Sequence, residues 1–184
     1  MKVTEEKFTV NGITYNIKTP MNTDAKALSD LRLQIDGETE NLDRVRGEEY
    51  IDLIRFEEII KIDNENAKNL FLVVTVNNRI IGYSRCTGNP LQRFNHNVEF
   101  GVCVLKEFWS YQIGGNLLQK SIKWADDNHI KKINLRVMET NSRAIKLYQK
   151  YGFEIEGVLK RDKLLSDGNY YNTIMMARFK EGWN

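Results

Sequence analysis

Val98-Glu99-Phe100-Gly101-Val102-Cys103-Val104-Leu105, then Lys106-Glu107-Phe108-Trp109-Ser110-Tyr111-Gln112, then Ile113-Gly114-Gly115-Asn116, is the stretch on which the fold turns. The first part is β-branched and aromatic, interrupted once by Gly101, and predicts a strand. From Ile113 onward the period changes, with Ile113, Leu117, Ile122 and Ala125 near one face of a helix. A glycine-bearing turn between strand and helix is suited to an anion. The first helical turn has N–H groups without partners and lies at the positive end of the helix dipole. Glycine lets a bulky ligand approach that backbone. A phosphate or pyrophosphate fits there. A tight turn that needs small residues would read the same way, and Gly-Gly alone does not separate the two.

The 184 residues predict one domain, with enough chain for a hydrophobic core. A formal net charge of +2 argues against a dedicated nucleic-acid binder, which would carry a strongly basic face. Two cysteines and two histidines, without metal-like spacing, predict no zinc site and no disulfide framework. Charges at Lys2, Glu5 and Glu6 stand where a signal peptide needs an apolar core, and no apolar run has membrane-span length. The expectation is a soluble, cytoplasmic, reduced protein with no membrane partner.

Working outward toward the N-terminus, Asn11-Gly12 lies between alternating apolar runs, a strong hairpin signal. Leu28, Leu31 and Ile35 predict a helix capped at Asn22, Thr23 or Asp24 and stopped by Gly37. Glu38 to Arg44 reads as a loop. A second helix is expected over roughly Glu48 to Asn64. Leu70 to Val76, Ile80 to Thr87 and the Val98 strand predict three successive antiparallel strands. Toward the C-terminus, Ile133, Leu135 and Val137 alternate as a strand, and Ser142 to Tyr151 is a helix with Gly152 past its end. Strands over Phe153 to Val158 and Tyr170 to Phe179 close the pattern. The fold class is α/β (α+β), one mixed sheet flanked by helices.

Asn141-Ser142-Arg143-Ala144-Ile145-Lys146-Leu147-Tyr148-Gln149-Lys150-Tyr151-Gly152-Phe153 resembles the N-x-x-A-x-x-L-Y-x-x-x-G-F segment of the GCN5-related N-acetyltransferases. The strand–turn–helix unit precedes it in the family's order, and the match covers roughly Leu70 to Phe179. Glu38-Thr39 and the tail around Gly157 to Tyr170 resemble the ribosomal-protein and polyamine acetylating branches. The resemblance implies a mostly antiparallel sheet with a splayed central strand pair. It divides the chain into an N-terminal hairpin (1–19), a helical acceptor-side region (20–69) and an acetyl-CoA-binding core (70–184). The pantetheine arm of acetyl-CoA would lie along Val102, Cys103 and Val104. The pyrophosphate would sit on the N–H groups of Gln112, Ile113, Gly114, Gly115 and Asn116. Asn141 would bond the arm and Ala144 would leave it room. No metal is implied, and a homodimer is compatible with the resemblance. One departure stands out. The family turn Q/R-x-x-G-x-G/A here reads Trp109-Ser110-Tyr111-Gln112-Ile113-Gly114, so Gln112 replaces the first glycine and only Gly114 fits. Phosphate binding tolerates Gln112 if its φ is negative and strains it otherwise.

Acetyl transfer to an amine requires a deprotonated nitrogen, donors for the oxyanion and a tolerated thiolate. By resemblance Tyr148 is the general acid, Glu99 the general base and the Val104 N–H the oxyanion donor. Periodicity by itself would place Tyr148 in the core and Glu99 on a solvent face. His96 is a rival base. Cys103 as an acyl-accepting nucleophile lacks a basic partner and reads as a small core residue. Glu38, Glu40 and Asp43 would suit a cationic acceptor, though a solvated acidic loop reads the same way. The implied activity is acetyl transfer to a small amine, a polyamine or a protein amino group. The alternative is a CoA-binding module or sensor with little catalysis.

Overall fold

The computed structural model describes residues 3–182. Eight strands form one sheet. They are β1 (Glu6–Val10), β2 (Ile13–Lys18), β3 (Leu70–Val76), β4 (Arg79–Gly88), β5 (Asn97–Val104), β6 (Lys132–Met138), β7 (Glu154–Leu164) and β8 (Tyr170–Phe179), in the order β1-β2-β3-β4-β5-β6-β8-β7. Every neighbouring pair is antiparallel except β5 and β6. The helices are α1 (Ala25–Asp36), α2 (Leu53–Glu65), α3 (Ile113–Asp127) and α4 (Ser142–Lys150). The expected mixed, mostly antiparallel sheet with a diverging central pair is what forms.

Local chemistry accounts for most boundaries. Asn11 and Gly12 take φ of 49° and 80°, the left-handed pair that a two-residue hairpin turn needs. Strand β3 is buried from Leu70 through Val74 because helices cover both faces of the sheet there. The second helix begins later than its apolar residues suggest. Asp52, not a residue near Glu48, caps it by accepting from the Arg55 N–H at 2.8 Å. Tyr50, Leu53 and Ile54 are exposed, so the buried face narrows to Phe56, Ile60 and Asp63. Strand β7 runs to Leu164 rather than ending near Val158, because β8 carries the pairing past an irregularity between Leu159 and Lys163. Gly152 ends α4 at φ 81°, with Phe153 N–H bonding the Tyr148 carbonyl at 3.0 Å.

Side-chain alternation separates the two faces around β5. Phe100 meets Tyr148 of α4 edge-on, with centroids 6.5 Å apart. Cys103 points to the opposite face, where its thiol hydrogen-bonds Tyr83 and feels the charges of Asp36 and Arg44. Helices α1 and α2 therefore cover one face, and α3 and α4 the other. No helix is long and apolar enough to cross a membrane.

Candidate active site

Strands β5 and β6 pair over three residues only, Asn97 with Lys132, Val98 with Ile133 and Glu99 with Asn134. Beyond Glu99 they part, while β5 stays paired to β4 as far as Val104 and Gly82. The Leu105 N–H bonds the Ile81 carbonyl at 2.9 Å, so odd-numbered residues of β5 direct their backbone groups at β4. Val102 and Val104 direct theirs into the gap, and Cys103 turns its own toward Tyr83. The Val104 carbonyl is occupied: the Trp109 indole N–H donates to it at 2.8 Å. The Val104 N–H and both polar groups of Val102 face the opening. An unpaired strand edge inside a protein is a template for an extended ligand with amide groups.

The gap ends at the turn into α3. Gln112 is the residue before the helix, at φ 60° and ψ 9°. The condition of a negative φ is not met, and Ser110 is left-handed too, at φ 77°. The first N–H bonded within the helix belongs to Asn116, which donates to the Gln112 carbonyl at 2.9 Å. The N–H groups of Gln112, Ile113, Gly114 and Gly115 have no partner among the described residues. A Cβ on Gly114 would meet no atom within 4 Å, so nothing in the chain demands glycine there. The space above that backbone is what a side chain would fill, and a pyrophosphate fits it.

Tyr15 holds this turn in place, a role that nothing in its sequence neighbourhood signals. Its hydroxyl donates to the Tyr111 carbonyl at 3.2 Å and accepts from the Asn116 amide at 2.6 Å. Residues 96 and 101 positions away in the chain are thereby fixed by one buried phenol. Burial raises its pKa, although the Asn116 bond opposes this.

From the other side of the gap, Asn141 caps α4, its Oδ1 accepting from the Ala144 N–H at 3.2 Å. Ala144 is half-buried beside it. Tyr148 lies one turn on and is 7% exposed, between Phe100 and Phe153. Desolvation pushes its phenol up to about 12. The hydroxyl makes no hydrogen bond among the described residues. Burial also pushes the Cys103 thiol up to about 12, against the opposing Tyr83 bond. At neutral pH that sulfur is a thiol, which disfavours it as a nucleophile. Glu99 is exposed on the face of α1 and α2, at the closed end of the gap. His96 precedes β5, and its carbonyl accepts from the Lys131 and Lys132 N–H groups at 2.8 and 3.1 Å.

A cleft of about 480 Å³ opens at the other end of the gap, among Asp36, Glu38, Glu40, Trp109, Met138 and Thr140. The acidic loop beside it is fastened down. Glu38 accepts from the Lys106 N–H at 2.8 Å, Glu40 accepts from the Ser166 N–H at 2.9 Å, and Asp43 pairs with Lys163. Beneath them Asp36 is buried against Arg44, with N···O distances of 3.2 and 3.3 Å, and against Arg32 at 3.9 Å. The carboxylates of Glu38, Glu40 and Asp43 tie the loop between α1 and α2 to the turn after β5, the turn after β7 and the end of β7 itself. No cluster of His, Cys, Asp and Glu able to hold a metal occurs among the described residues.

A splayed parallel pair, an N–H cradle at the following helix and a capped helix across the gap together define an acyltransferase architecture. The model of the Acetyltransferase (GNAT) family matches residues 36–153, more than half of the chain, and the chain belongs to that family of N-acetyltransferases. It is 33% identical over 110 residues to the L-amino acid N-acetyltransferase AaaT of Escherichia coli, covering 59% of this chain and 67% of that relative. A GNAT-family acetyltransferase from Streptococcus pneumoniae superimposes with a TM-score of 0.87 at 23% identity, over 90% of this chain and 99% of that one. The YncA acetyltransferase structure from Salmonella typhimurium with acetyl-CoA gives 0.80 at 16% identity, over 92% and 96%. At these identities the structural likeness speaks for the fold.

Proposed function

We propose that this enzyme transfers the acetyl group of acetyl-CoA to a primary amine by direct attack, within a single domain spanning the chain and in the cytoplasm. The observation that carries the reading is the alignment of two kinds of unpaired backbone along one gap. Val102 and Val104 offer ladder groups from β5, and Gln112 through Gly115 offer N–H groups where the gap ends. In this reading an extended amide-bearing arm lies on Val102 to Val104, Cys103 adding its side chain, and a pyrophosphate lies on the turn. Asn116 supports the turn through Tyr15. Asn141 offers its amide nitrogen to the arm, and Ala144 keeps the helix clear of it.

Glu99 takes a proton from the amine, whose pKa is about 10.4 if it is lysine-like. The Val102 N–H, aimed into the gap three residues from Glu99, donates to the developing oxyanion in place of the Val104 N–H, which lies roughly 16 Å along the strand from Glu99. Tyr148 serves the departing sulfur. A phenol near 12 faces a thiol of ordinary pKa about 8.5, so complete proton transfer is uphill. Tyr148 therefore acts first as a hydrogen-bond donor to the thiolate. The acceptor is a small amine or a protein amino group, and the Escherichia coli relative, by name an L-amino acid N-acetyltransferase, makes free amino acids the first class to try.

The test has two stages. Acetyl-CoA and desulfo-CoA should each raise the melting temperature, as a ligand of the folded state does. A thiol-release assay over L-amino acids, polyamines and N-terminal peptides should then show amine-dependent CoA release. Binding without release from any amine would favour the alternative of a CoA-binding module, which the strained Gln112 supports. No shift at millimolar ligand would remove the co-substrate from the proposal.

A further inference from the structure

Gly101 stands in the middle of β5, where glycine weakens a strand. Its φ is not left-handed, and the register with β4 runs unbroken from Val98 to Val104. A Cβ there would meet no atom within 4 Å. Turn, bulge and crowding are thus all absent as reasons for glycine. Glycine inside a regular strand then marks the close approach of a ligand. Alternation puts this open spot on the face of α1 and α2, next along from Glu99. Its neighbour Val102 directs an N–H into the gap.

Arg136 reaches the same spot from β6. Asn134 is registered with Glu99, and Arg136 follows by two residues on the same face, beyond the point where β5 and β6 part. Straight strands would set the Glu99 and Arg136 Cα atoms about 8 Å apart, and the parting widens this. Both side chains are exposed, and neither makes an ion pair or hydrogen bond among the described residues. The neighbouring cations are committed. Arg85, across from Gly101, holds the buried Asp63 at 2.7 and 3.1 Å, and Lys132 holds Glu156 at 2.6 Å. Thr87, across from Glu99 on β4, adds a hydroxyl but no charge.

A carboxylate and a guanidinium that face one open spot from opposite banks of the gap, without pairing to each other, match a guest with both charges on adjacent groups. We infer that the acceptor is a free α-amino acid, lying over Gly101 with its ammonium toward Glu99 and its carboxylate on the Arg136 guanidinium. That guanidinium presents paired N–H donors to a carboxylate. The inference rests on the proposed transfer from acetyl-CoA and narrows its acceptor. An amine without a carboxylate leaves Arg136 unmatched, and a peptide N-terminus offers it only a neutral carbonyl. Arg136 occurs in a plain alternating strand, and only the register of β5 and β6 brings it to the face of Glu99.

The test is CoA release from acetyl-CoA with a panel of L-amino acids, each beside its α-carboxamide, and with spermidine as an acceptor lacking a carboxylate. Wild type should favour the best amino acid over its amide by about tenfold or more in kcat/KM, the scale of hydrogen bonds between charged groups. Arg136→Leu should erase that preference by raising KM for the amino acid, with KM for acetyl-CoA unchanged, and Arg136→Lys should keep part of it. The amide's own reactivity is the same in every protein, so the change in ratio reports residue 136. Gly101→Val should raise the same KM. A wild-type melting shift with acetyl-CoA reports that each variant is folded. Amides used by wild type as well as the acids, release with spermidine but with no amino acid, or an undiminished preference in Arg136→Leu overturns the inference alone. Release from no acceptor overturns the transfer reading and the inference with it.

Discussion

Replacing Gln112 by glycine tests the strain in the turn before α3. The residue sits at φ 60°, its side chain is exposed, and that side chain bonds nothing among the described residues. Removing it therefore loses no contact. A non-glycine residue in the left-handed region costs about 1 kcal/mol. Glycine in turn raises the entropy of the unfolded chain, which costs about 0.4–1 kcal/mol. Glycine is also an acceptable N-cap, worth a few tenths at most. The balance is a stabilisation of about 0.5 kcal/mol. For a chain of this length that corresponds to a rise of about 1–2 °C in Tm. Gln112→Val supplies the opposite sign, since a β-branched side chain tolerates positive φ worst. It should lower Tm by about 2–4 °C. Thermal melts of the three proteins at neutral pH decide the matter. A valine variant at least as stable as the glycine variant would refute the left-handed assignment. Acetyl-CoA titrations extend the test to function. Wild type should bind with micromolar affinity, and Gln112→Gly should match it, because the strain is present without ligand and relieving it stabilises free and bound protein alike. Near-zero wild-type binding that glycine restores would show that the native turn does not cradle the pyrophosphate.

Tyr148→Phe should leave acetyl-CoA affinity intact and lower turnover by about 10²-fold; unchanged turnover in the thiol-release assay would return the residue to a packing role between Phe100 and Phe153. Glu99→Gln should slow the reaction at neutral pH and recover in part at high pH, where the amine loses its own proton, so an equal loss across the pH profile would argue against a base. Tyr15→Phe removes the hydroxyl that joins Tyr111 to Asn116 and should cost about 1–2 kcal/mol of stability together with several-fold weaker acetyl-CoA binding; a melt and a titration indistinguishable from wild type would count against it as a brace. Three desolvated acids, Cys103 only partly buried, share an alkaline liability: Cys86 and Cys103 are pushed from 9.0 to about 12, and Tyr148 from 10.0 to about 12. The folded state then holds protons that the unfolded chain releases, so stability is intact below pH about 9 and falls as pH rises from there to about 12. Melting temperatures across that range should drop, and Cys86→Ala combined with Cys103→Ala should soften the drop.

Much of this protein is legible in its sequence because much of it is set locally. Asn11-Gly12 specifies its hairpin through left-handed φ that few residues accept. Asn141, Ala144, Tyr148 and Gly152 lie within four turns of chain, and cap, spacing and stop reinforce one another at short range. Periodicity marks Leu28, Leu31 and Ile35 as a buried stripe for the same reason. The tertiary structure decides what distance along the chain conceals. Whether Gln112 is strained depends on the sign of one dihedral, which the approach of β5 to α3 imposes. The wide apolar run of the second helix shrinks because Asp52 captures the start and leaves Tyr50 outside. Glu38, Glu40 and Asp43 read alike as acidic loop residues, yet they fasten to Lys106, Ser166 and Lys163, at separations of 68, 126 and 120 residues. Tyr15 and Arg136 carry no local signal at all. One reaches its turn because the hairpin joins the sheet edge, and the other shares a face with Glu99 because two parallel strands keep register for three pairs and then part. Short-range dihedral preferences and side-chain period are properties of neighbouring residues, whereas strand pairing is a global outcome of burial. The chain alone therefore determined the elements and their motifs, and only the assembled sheet decided which side chains share the site.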